Sequence, residues 1–348
     1  MEQWLNAIWY EGRTGSWLLR PLSLLYGLIA AARRAGYRSG WLRSRRIAAP
    51  VVVIGNLTLG GTGKTPLVIA LARALAQRGL KVGVVSRGHG RDETGVRAVD
   101  GASTARQVGD EPLLIARSSG VPVVVGADRV AAAQRLVADG AQLILCDDGL
   151  QHYRLARDLE IVVIDTERGV GNGRLLPAGP LREPLSRLRG VDWIALTGAG
   201  AALLNVPLPQ GTPCLGMRRR IDVARSISDA SRSVPLTHFR DSSVHAVAGI
   251  GAPERFFRLL REHGIEVTEH AFPDHHPFRA EQLMFGDDRN VLMTEKDAVK
   301  CAAFAAANWW AVPLVIEWDE PDAARLVGQI AALVPSTSGP TAAGNELQ

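Results

Sequence analysis

A lysine and a threonine close the stretch GNLTLGGTGKT, residues 55–65, and their surroundings suggest phosphate chemistry. Gly60, Gly61 and Gly63 carry no Cβ, so the backbone N–H groups from Thr58 and Leu59 through Thr62 to Thr65 can converge on phosphate oxygens. The Lys64 ammonium is placed to reach β- and γ-phosphates, and the Thr65 hydroxyl is a Mg²⁺ ligand by type. Binding of ATP or GTP is therefore expected. One departure stands out, because Thr58 occupies the place of the first glycine in G-x-x-x-x-G-K-[ST]. A second acidic element follows in LILCDDGLQH, residues 143–152, where a strand delivers Asp147 and Asp148 at its carboxyl end to orient Mg²⁺. Neighbouring strand residues face opposite ways, so one of the two is expected to do this; the alternative is that the pair opens a turn. In FPDHHPF, residues 272–278, two prolines bracket His275 and His276. Such a rigid loop suits presenting an imidazole, although two surface histidines without a role fit the pattern as well.

These groups need elements to hold them. Residues 51–54 form a β-branched run that reads as a buried parallel strand, and residues 67–79 have helical apolar spacing that stops at Gly79. Pro66 is compatible with a first helical turn, whose N–H groups have no partner in the helix. Strands are predicted at 81–86, 121–126 and 160–166, with helices at 111–119 and 128–140, the latter capped by Asp128. The fold class is α/β: a P-loop NTPase-like, mostly parallel sheet flanked by helices, with ligands at the carboxyl ends of its strands. The pattern weakens between 203 and 243. It resumes with a strand at 245–251, a helix at 253–264, a strand at 266–272, a strand entering a helix at 290–300 and a last strand at 312–318. The expected domains are an N-terminal segment 1–48, a kinase core 49–200, a junction 201–244, a smaller α/β domain 245–334 and a disordered tail 335–348.

Charge is concentrated at one end. Up to Pro50 there are eight arginines against Glu2 and Glu11, so this segment holds +6 in a chain whose total is +5. The near-neutral remainder argues against a nucleic-acid coat, and no obligate protein partner is inferred. Trp4, Trp9, Trp17 and Trp41 bracket the apolar run PLSLLYGLIAAA at 21–32. As a helix this run rises only ~18 Å, too little for the ~30 Å hydrocarbon layer. A basic, aromatic helix lying in a membrane surface is expected, with an ordinary core helix and a signal peptide as alternatives. Cys146, Cys214 and Cys301 are few and dispersed, which implies a reducing compartment and no structural zinc site.

Taken together, IGNLTLGGTGKTP (54–66), SRGHGR (86–91), VGDEPLL (108–114), DDGLQH (147–152), GRLLPAGPLREP (173–184), FPDHHPF and TEKDAVK (294–300) resemble the tetraacyldisaccharide 4′-kinases over nearly the whole chain. That family's phosphate loop also lacks the first glycine. The resemblance implies transfer of the ATP γ-phosphate to the 4′-hydroxyl of an acylated glucosamine disaccharide 1-phosphate lipid, forming lipid IVA for lipopolysaccharide. It implies ATP and Mg²⁺, and a peripheral position on the cytoplasmic face of the bacterial inner membrane.

By the same resemblance Asp110 matches the family's proposed base, and His275 the imidazole paired with it. Lys64 joins them as a catalytic cation; Thr65 with Asp147 or Asp148 holds Mg²⁺; Arg87, His152 and Arg182 match positions lining the nucleotide and lipid-phosphate site. Lys296 and Asp297 match a motif without an assignable role, a structural ion pair included. Two departures occur: His89 stands where the family usually has tyrosine, and Leu150 where it has phenylalanine, so His89 is expected to affect substrate affinity or pH dependence. From the loop alone, a membrane-surface ATPase switch of the partitioning or targeting type is the rival reading.

Overall fold

The chain leaves the larger of two sheets after Arg220 and re-enters it at Val315, and this single excursion builds the smaller sheet. The computed structural model describes residues 2–11, 15–198, 206–229 and 231–335. In chain order the elements begin with α1 (Glu2–Tyr10), α2 (Arg20–Arg38), β1 (Val51–Gly55), α3 (Lys64–Gln77), β2 (Val82–Ser86) and β3 (Arg97–Val99). They continue with α4 (Ala105–Val108), α5 (Asp110–Ser119), β4 (Val123–Val125), α6 (Arg129–Ala138), β5 (Leu143–Asp147), β6 (Leu159–Asp165), β7 (Trp193–Thr197) and β8 (Cys214–Arg220). The excursion comprises β9 (Val223–Ser226), β10 (Ser233–Pro235), β11 (Ser243–Ala248), α7 (Pro253–Glu262), β12 (Glu266–Ala271), β13 (Val291–Thr294), α8 (Glu295–Cys301) and β14 (Trp309–Val312). Back on the first sheet lie β15 (Val315–Trp318) and α9 (Glu320–Ala331).

Among the described residues the larger sheet runs β15-β8-β7-β6-β1-β5-β2-β4-β3 and is parallel except at its two edges. β1 lies between β5 and β6, so Ile54 is level with Asp147 on one side and with Ile161 on the other. Every residue of β1 is buried, as the uninterrupted apolar run requires when helices cover both faces. On one face Leu67, Leu71 and Leu75 of α3 pack with Leu326 and Ile330 of α9 over Trp193. Each leucine is fully buried and contributes about 1.5–3 kcal/mol. The smaller sheet runs β10-β9-β14-β13-β11-β12 around Phe239, Phe257 and Trp310.

Helix starts follow local chemistry. Asp128 Oδ1 accepts from the N–H groups of Val130 and Ala131 at 3.0 and 3.2 Å and so opens α6. Thr294 opens α8 by accepting from Asp297 N.

Three expectations need correction. The described residues of the 201–244 stretch, expected as a junction, hold β8 on the larger sheet and β9, β10 and the start of β11 on the smaller. Residues 312–318 are not one strand: Pro313, which cannot donate to a ladder, separates β14 on the smaller sheet from β15 on the larger. Residues 315–331 therefore pack with the larger sheet and not with the unit expected at 245–334. The tail beyond Pro335 lies outside the described residues.

No helix among the described residues is long and apolar enough to cross a membrane. Leu22, Leu24, Leu25, Leu28 and Ile29 of α2 are each more than half exposed. The opposite side is pinned to the body: Ser23 Oγ donates to Leu175 O at 2.8 Å and the Tyr26 hydroxyl to Arg182 O at 2.9 Å. A Cβ at Gly27 would lie 2.9 Å from Leu175 Cδ1, so α2 runs close against that side chain.

Candidate active site

The phosphate loop leaves β1 and enters α3, with Gly60 (φ +101°) and Gly63 (φ +95°) in the left-handed region that favours glycine. Thr58 needs no such freedom. It sits in an antiparallel bridge with Leu181, flanked by Leu59 N to Pro180 O at 2.9 Å and Arg182 N to Leu57 O at 2.6 Å. An extended residue strapped to a neighbouring segment replaces the missing glycine, and its pairing explains why threonine fits. The buried Thr62 offers its carbonyl to Thr197 Oγ1 at 2.9 Å. Lys64 Nζ donates to Asn56 Oδ1 at 3.1 Å and lies 3.7 Å from Asp148 Oδ1. Thr65 stands half-buried in the first turn of α3, and Leu59 and Gly61 complete the loop.

The two aspartates diverge. Asp147 is buried at the end of β5; its Oδ2 accepts from Ser86 Oγ at 3.1 Å, while its buried Oδ1 has no hydrogen-bond partner among the described residues. Burial, then the nearby negative charges of Glu111 and Asp148, push its carboxyl up to about 7. Asp148 turns out of the strand with φ +47°. It accepts from Arg182 Nη1 at 2.9 and 3.0 Å, and although burial opposes ionisation, Lys64 and Arg182 hold its carboxyl below the ordinary range.

On the other side of the site, Asp110 begins α5 and His275 comes from the loop after β12 on the smaller sheet. His275 Nδ1 lies 2.9 Å from Asp110 Oδ2 and 3.1 Å from Oδ1. His275 is held in the left-handed region at φ +60°, where a non-glycine residue is strained, and Asp274 Oδ1 steadies it by accepting from His275 N at 3.0 Å. Burial would raise the Asp110 carboxyl, but the His275 hydrogen bond and the Lys296 charge hold it at about 2. The Asp110 hydrogen bond raises the His275 imidazole. His276, its neighbour, instead meets Gln282 Oε1 at 3.1 Å and packs edge-on to Phe278.

Lys296 joins three carboxylates: Asp274 at 3.1 Å, Glu111 at 3.3 Å and Asp110 at 3.7 Å. Despite burial, these partners raise its ammonium well above the ordinary value. Asp297 is a framework residue, accepting from Gly249 N at 2.8 Å and Thr294 Oγ1 at 2.6 Å. Because Glu111 pairs with Lys296 and also acts on Asp147, it connects the dyad electrostatically to the aspartate at the end of β5. A second seam between the units is made by Arg255 with Asp165 and by Arg258 with Glu167 at 3.2 Å.

The remaining predicted residues divide. Arg182 is at the site through Asp148, and the His89 ring lies 5.4 Å from that of His275. His152 is among Arg129 and Arg157; burial first, then those charges, lower its imidazole to about 4, so it is neutral near pH 7. Arg87 is exposed and makes no hydrogen bond or ion pair among the described residues. Sequence reasoning missed Asn56, Glu111 and Arg129, whose Nη2 donates to Asp148 O at 3.0 Å. Glu111 lay next to Asp110 in VGDEP and could have been marked; Arg129, inside a plain amphipathic helix, gave no signal.

A profile of the family described as "Tetraacyldisaccharide-1-P 4'-kinase" matches residues 15–332. The "Tetraacyldisaccharide 4'-kinase" of Alkalilimnicola ehrlichii is 49% identical over 338 residues, covering 94% of this chain and 97% of that protein. The protein of the same description from Xanthomonas campestris pv. campestris is 50% identical over 318 residues, covering 89% and 90%. Among solved structures, the "apo" form of LpxK from Aquifex aeolicus in complex with ATP superposes with a TM-score of 0.78 at 29% identity, covering 92% of this chain and 99% of that one.

Proposed function

The chain belongs to the tetraacyldisaccharide-1-P 4′-kinase family, and from that premise we propose how its own residues carry out the reaction. It is an ATP-dependent kinase of lipid A biosynthesis, moving the γ-phosphoryl group to the 4′-hydroxyl of an acylated glucosamine disaccharide 1-phosphate. The partitioning-type ATPase switch is set aside by this membership.

A sugar hydroxyl is a poor nucleophile near neutral pH, so its proton must be accepted as the new P–O bond forms. Asp110 and His275 are the pair to do this. Asp110 is the acceptor implied by the family pattern, and its depressed carboxyl is ionised at any working pH. One observation favours a second reading, in which Asp110 orients His275 and the imidazole takes the proton: the Asp110 side chain is 5% exposed and that of His275 34%. The buried carboxylate would then serve as the orienting member, as in other carboxylate–imidazole pairs.

On the nucleotide side, the loop amides and Lys64 take the phosphates, Lys64 exchanging Asn56 and Asp148 for phosphate oxygens. Thr65 and Asp147 would hold Mg²⁺; the unpartnered Asp147 Oδ1 supports this, whereas Asp148 is committed to Lys64 and Arg182. Held there, Mg²⁺ would supply neutralisation of the negative charge on the nucleotide phosphates. Arg182 and Arg87 suit anionic groups of the substrates. His152, being neutral, serves as a hydrogen-bonding group and not as a cation, and His89 is a ring beside His275 for the sugar to meet. The exposed apolar face of α2 supports peripheral attachment to the cytoplasmic face of the inner membrane, with the lipid reaching the site from there.

The observation that carries this assignment is the run of charges from Lys64, Asp148 and Arg182, through Asp147 and Glu111, to Asp110 and His275. Incubation with radiolabelled ATP and the disaccharide lipid in detergent tests it. Labelled lipid that depends on both Lys64 and Asp110 is the expected result; a labelled product from the Asp110→Ala variant at the wild-type rate defeats the assignment.

A further inference from the structure

Arg168 lies against the phosphate loop and has no carboxylate partner within ion-pair distance among the described residues. Its Nη1 approaches Gly60 so closely that a Cβ there would collide with it. The guanidinium is held on neutral supports: Nη2 donates to Asn6 Oδ1 at 3.2 Å, and its centre lies 4.4 Å from the centroid of the Tyr10 ring. Its backbone N–H donates to Asp165 Oδ1 at 3.1 Å, but the Asp165 carboxylate pairs with the side chains of Arg219 and Arg255 instead. A half-buried guanidinium flanked by an amide oxygen, an aromatic face and a glycine of the loop lacks only an anion.

Both supports belong to α1, and α1 is fixed to the body. Trp9 Nε1 donates to Pro177 O at 3.0 Å, Asn172 N donates to Trp9 O at 2.8 Å, and Ile8 and Trp9 are buried. The N-terminal helix thus packs behind the phosphate loop as well as preceding α2.

We propose that Arg168 binds the polyphosphate of the nucleotide, and that Asn6 and Tyr10 are positioning residues that hold it there. This rests on the reading of residues 55–65 as the ATP site. A phosphate on the lipid would offer the same chemistry; contact with Gly60 of the loop points to the nucleotide.

The experiment measures binding of ATP and adenosine by calorimetry, and KM for ATP and for the lipid in the steady state, on the full chain. Arg168→Gln should weaken ATP about tenfold or more, as for loss of a charge-assisted contact, with adenosine affinity and the lipid KM unchanged. Arg168→Lys should recover part of the loss. Asn6→Ala and Tyr10→Leu should raise KM for ATP by a smaller factor with kcat nearly constant, a split that a merely structural role would not give. Should Arg168→Gln fail to fold, Arg168→Lys and Asn6→Ala carry the test, and wild-type KM for ATP in both overturns the proposal. An unchanged ATP affinity in Arg168→Gln, an equal loss for adenosine, or a rise confined to the lipid KM also overturns it. Lys64→Ala is the control: if it abolishes ATP binding while Arg168→Gln does not, only the role of Arg168 fails. If neither variant alters ATP binding, the reading of the loop fails with it.

Discussion

Asp110 and His275 stand 165 positions apart, and a 2.9 Å hydrogen bond joins them across two sheets that share no strand. Neither residue has this partner by local folding, since Asp110 begins a helix on the larger sheet and His275 sits in a loop of the smaller one. The pair therefore reports on how the two units are seated. Removing either member should lower turnover by about 10²–10⁴-fold. ATP affinity, set at the phosphate loop, should stay near wild type in Asp110→Ala and His275→Ala. Calorimetry beside the lipid kinase assay checks this, and joint loss of affinity and turnover would show that the dyad only holds the units together.

The same pair gives a stability signature against pH. Asp110 is depressed to about 2, so its contribution is present above the ordinary carboxylate value of 3.8 and is lost as pH falls toward 2. His275 is raised, so its contribution is complete below 6.5 and disappears as pH rises through its raised value. The Tm difference between wild type and His275→Ala should thus be widest between about pH 4 and 6.5 and narrow as pH rises through the raised His275 value. Rate profiles separate the two readings of the base. If His275 takes the proton, Asp110→Asn shifts the acid limb of kcat/KM downward; if Asp110 does, that variant is inactive at every pH.

Asp147 should couple metal binding to proton release. With its carboxyl pushed up to about 7, a fraction of the protein carries a proton there at neutral pH, and a cation on Oδ1 must displace it. Titration of Mg²⁺ with nucleotide in buffers of different ionisation enthalpy should reveal release of a fraction of a proton at pH 7. That release should vanish in Asp147→Asn and persist, diminished, in Asp148→Asn, which removes one of the charges that raise the Asp147 carboxyl.

The exposed face of α2 should set membrane affinity without touching the nucleotide. Leu24 and Leu28 are 70% and 68% exposed, and interfacial burial of each is worth about 1.5–3 kcal/mol. Leu24→Glu combined with Leu28→Glu should reduce sedimentation with anionic liposomes at least about tenfold and leave ATP affinity unchanged. Equal sedimentation of the two proteins would remove this face from membrane contact.

His89 packs its ring 5.4 Å from that of His275. Keeping an aromatic ring there should matter more than keeping an imidazole, so His89→Tyr should retain most of the turnover and His89→Ala should lose several-fold. Steady-state kinetics on both variants decide this; equal rates in the two would mean the ring contact is idle.

Much of the site was legible because its signals are local. The glycines and Lys64 declare a phosphate loop, the run from Leu143 to Cys146 announces a buried strand ending in acid, and Asp128 marks a helix start. The dyad was legible only through resemblance to a family, since no periodicity connects residue 110 with residue 275. What escaped was non-local or disguised. β8, CLGMRRR, alternates between buried and exposed residues and ends in three arginines, so it does not look like a sheet strand. VPLVIEW looked continuous because hydropathy does not register the N–H that Pro313 lacks. Lys296 sat in a charged helix start whose three acidic partners come from two other segments, and Arg168 owes its place to a helix at the far end of the chain.

The excursion that builds the smaller sheet begins and ends at paired residues, for Arg220 of β8 lies opposite Val315 of β15 in antiparallel register. A segment whose exit and entry are hydrogen-bonded neighbours can be cut out and the ends rejoined by a two-residue hairpin without disturbing a described strand of the larger sheet. The His275 imidazole is thus borne on a removable cassette, while the phosphate loop, Asp147 and Asp148 all lie outside it. Shortening the chain in this way should leave a nucleotide-binding protein that keeps Asp110 but lacks the imidazole paired with it, a division of labour written into the chain path itself.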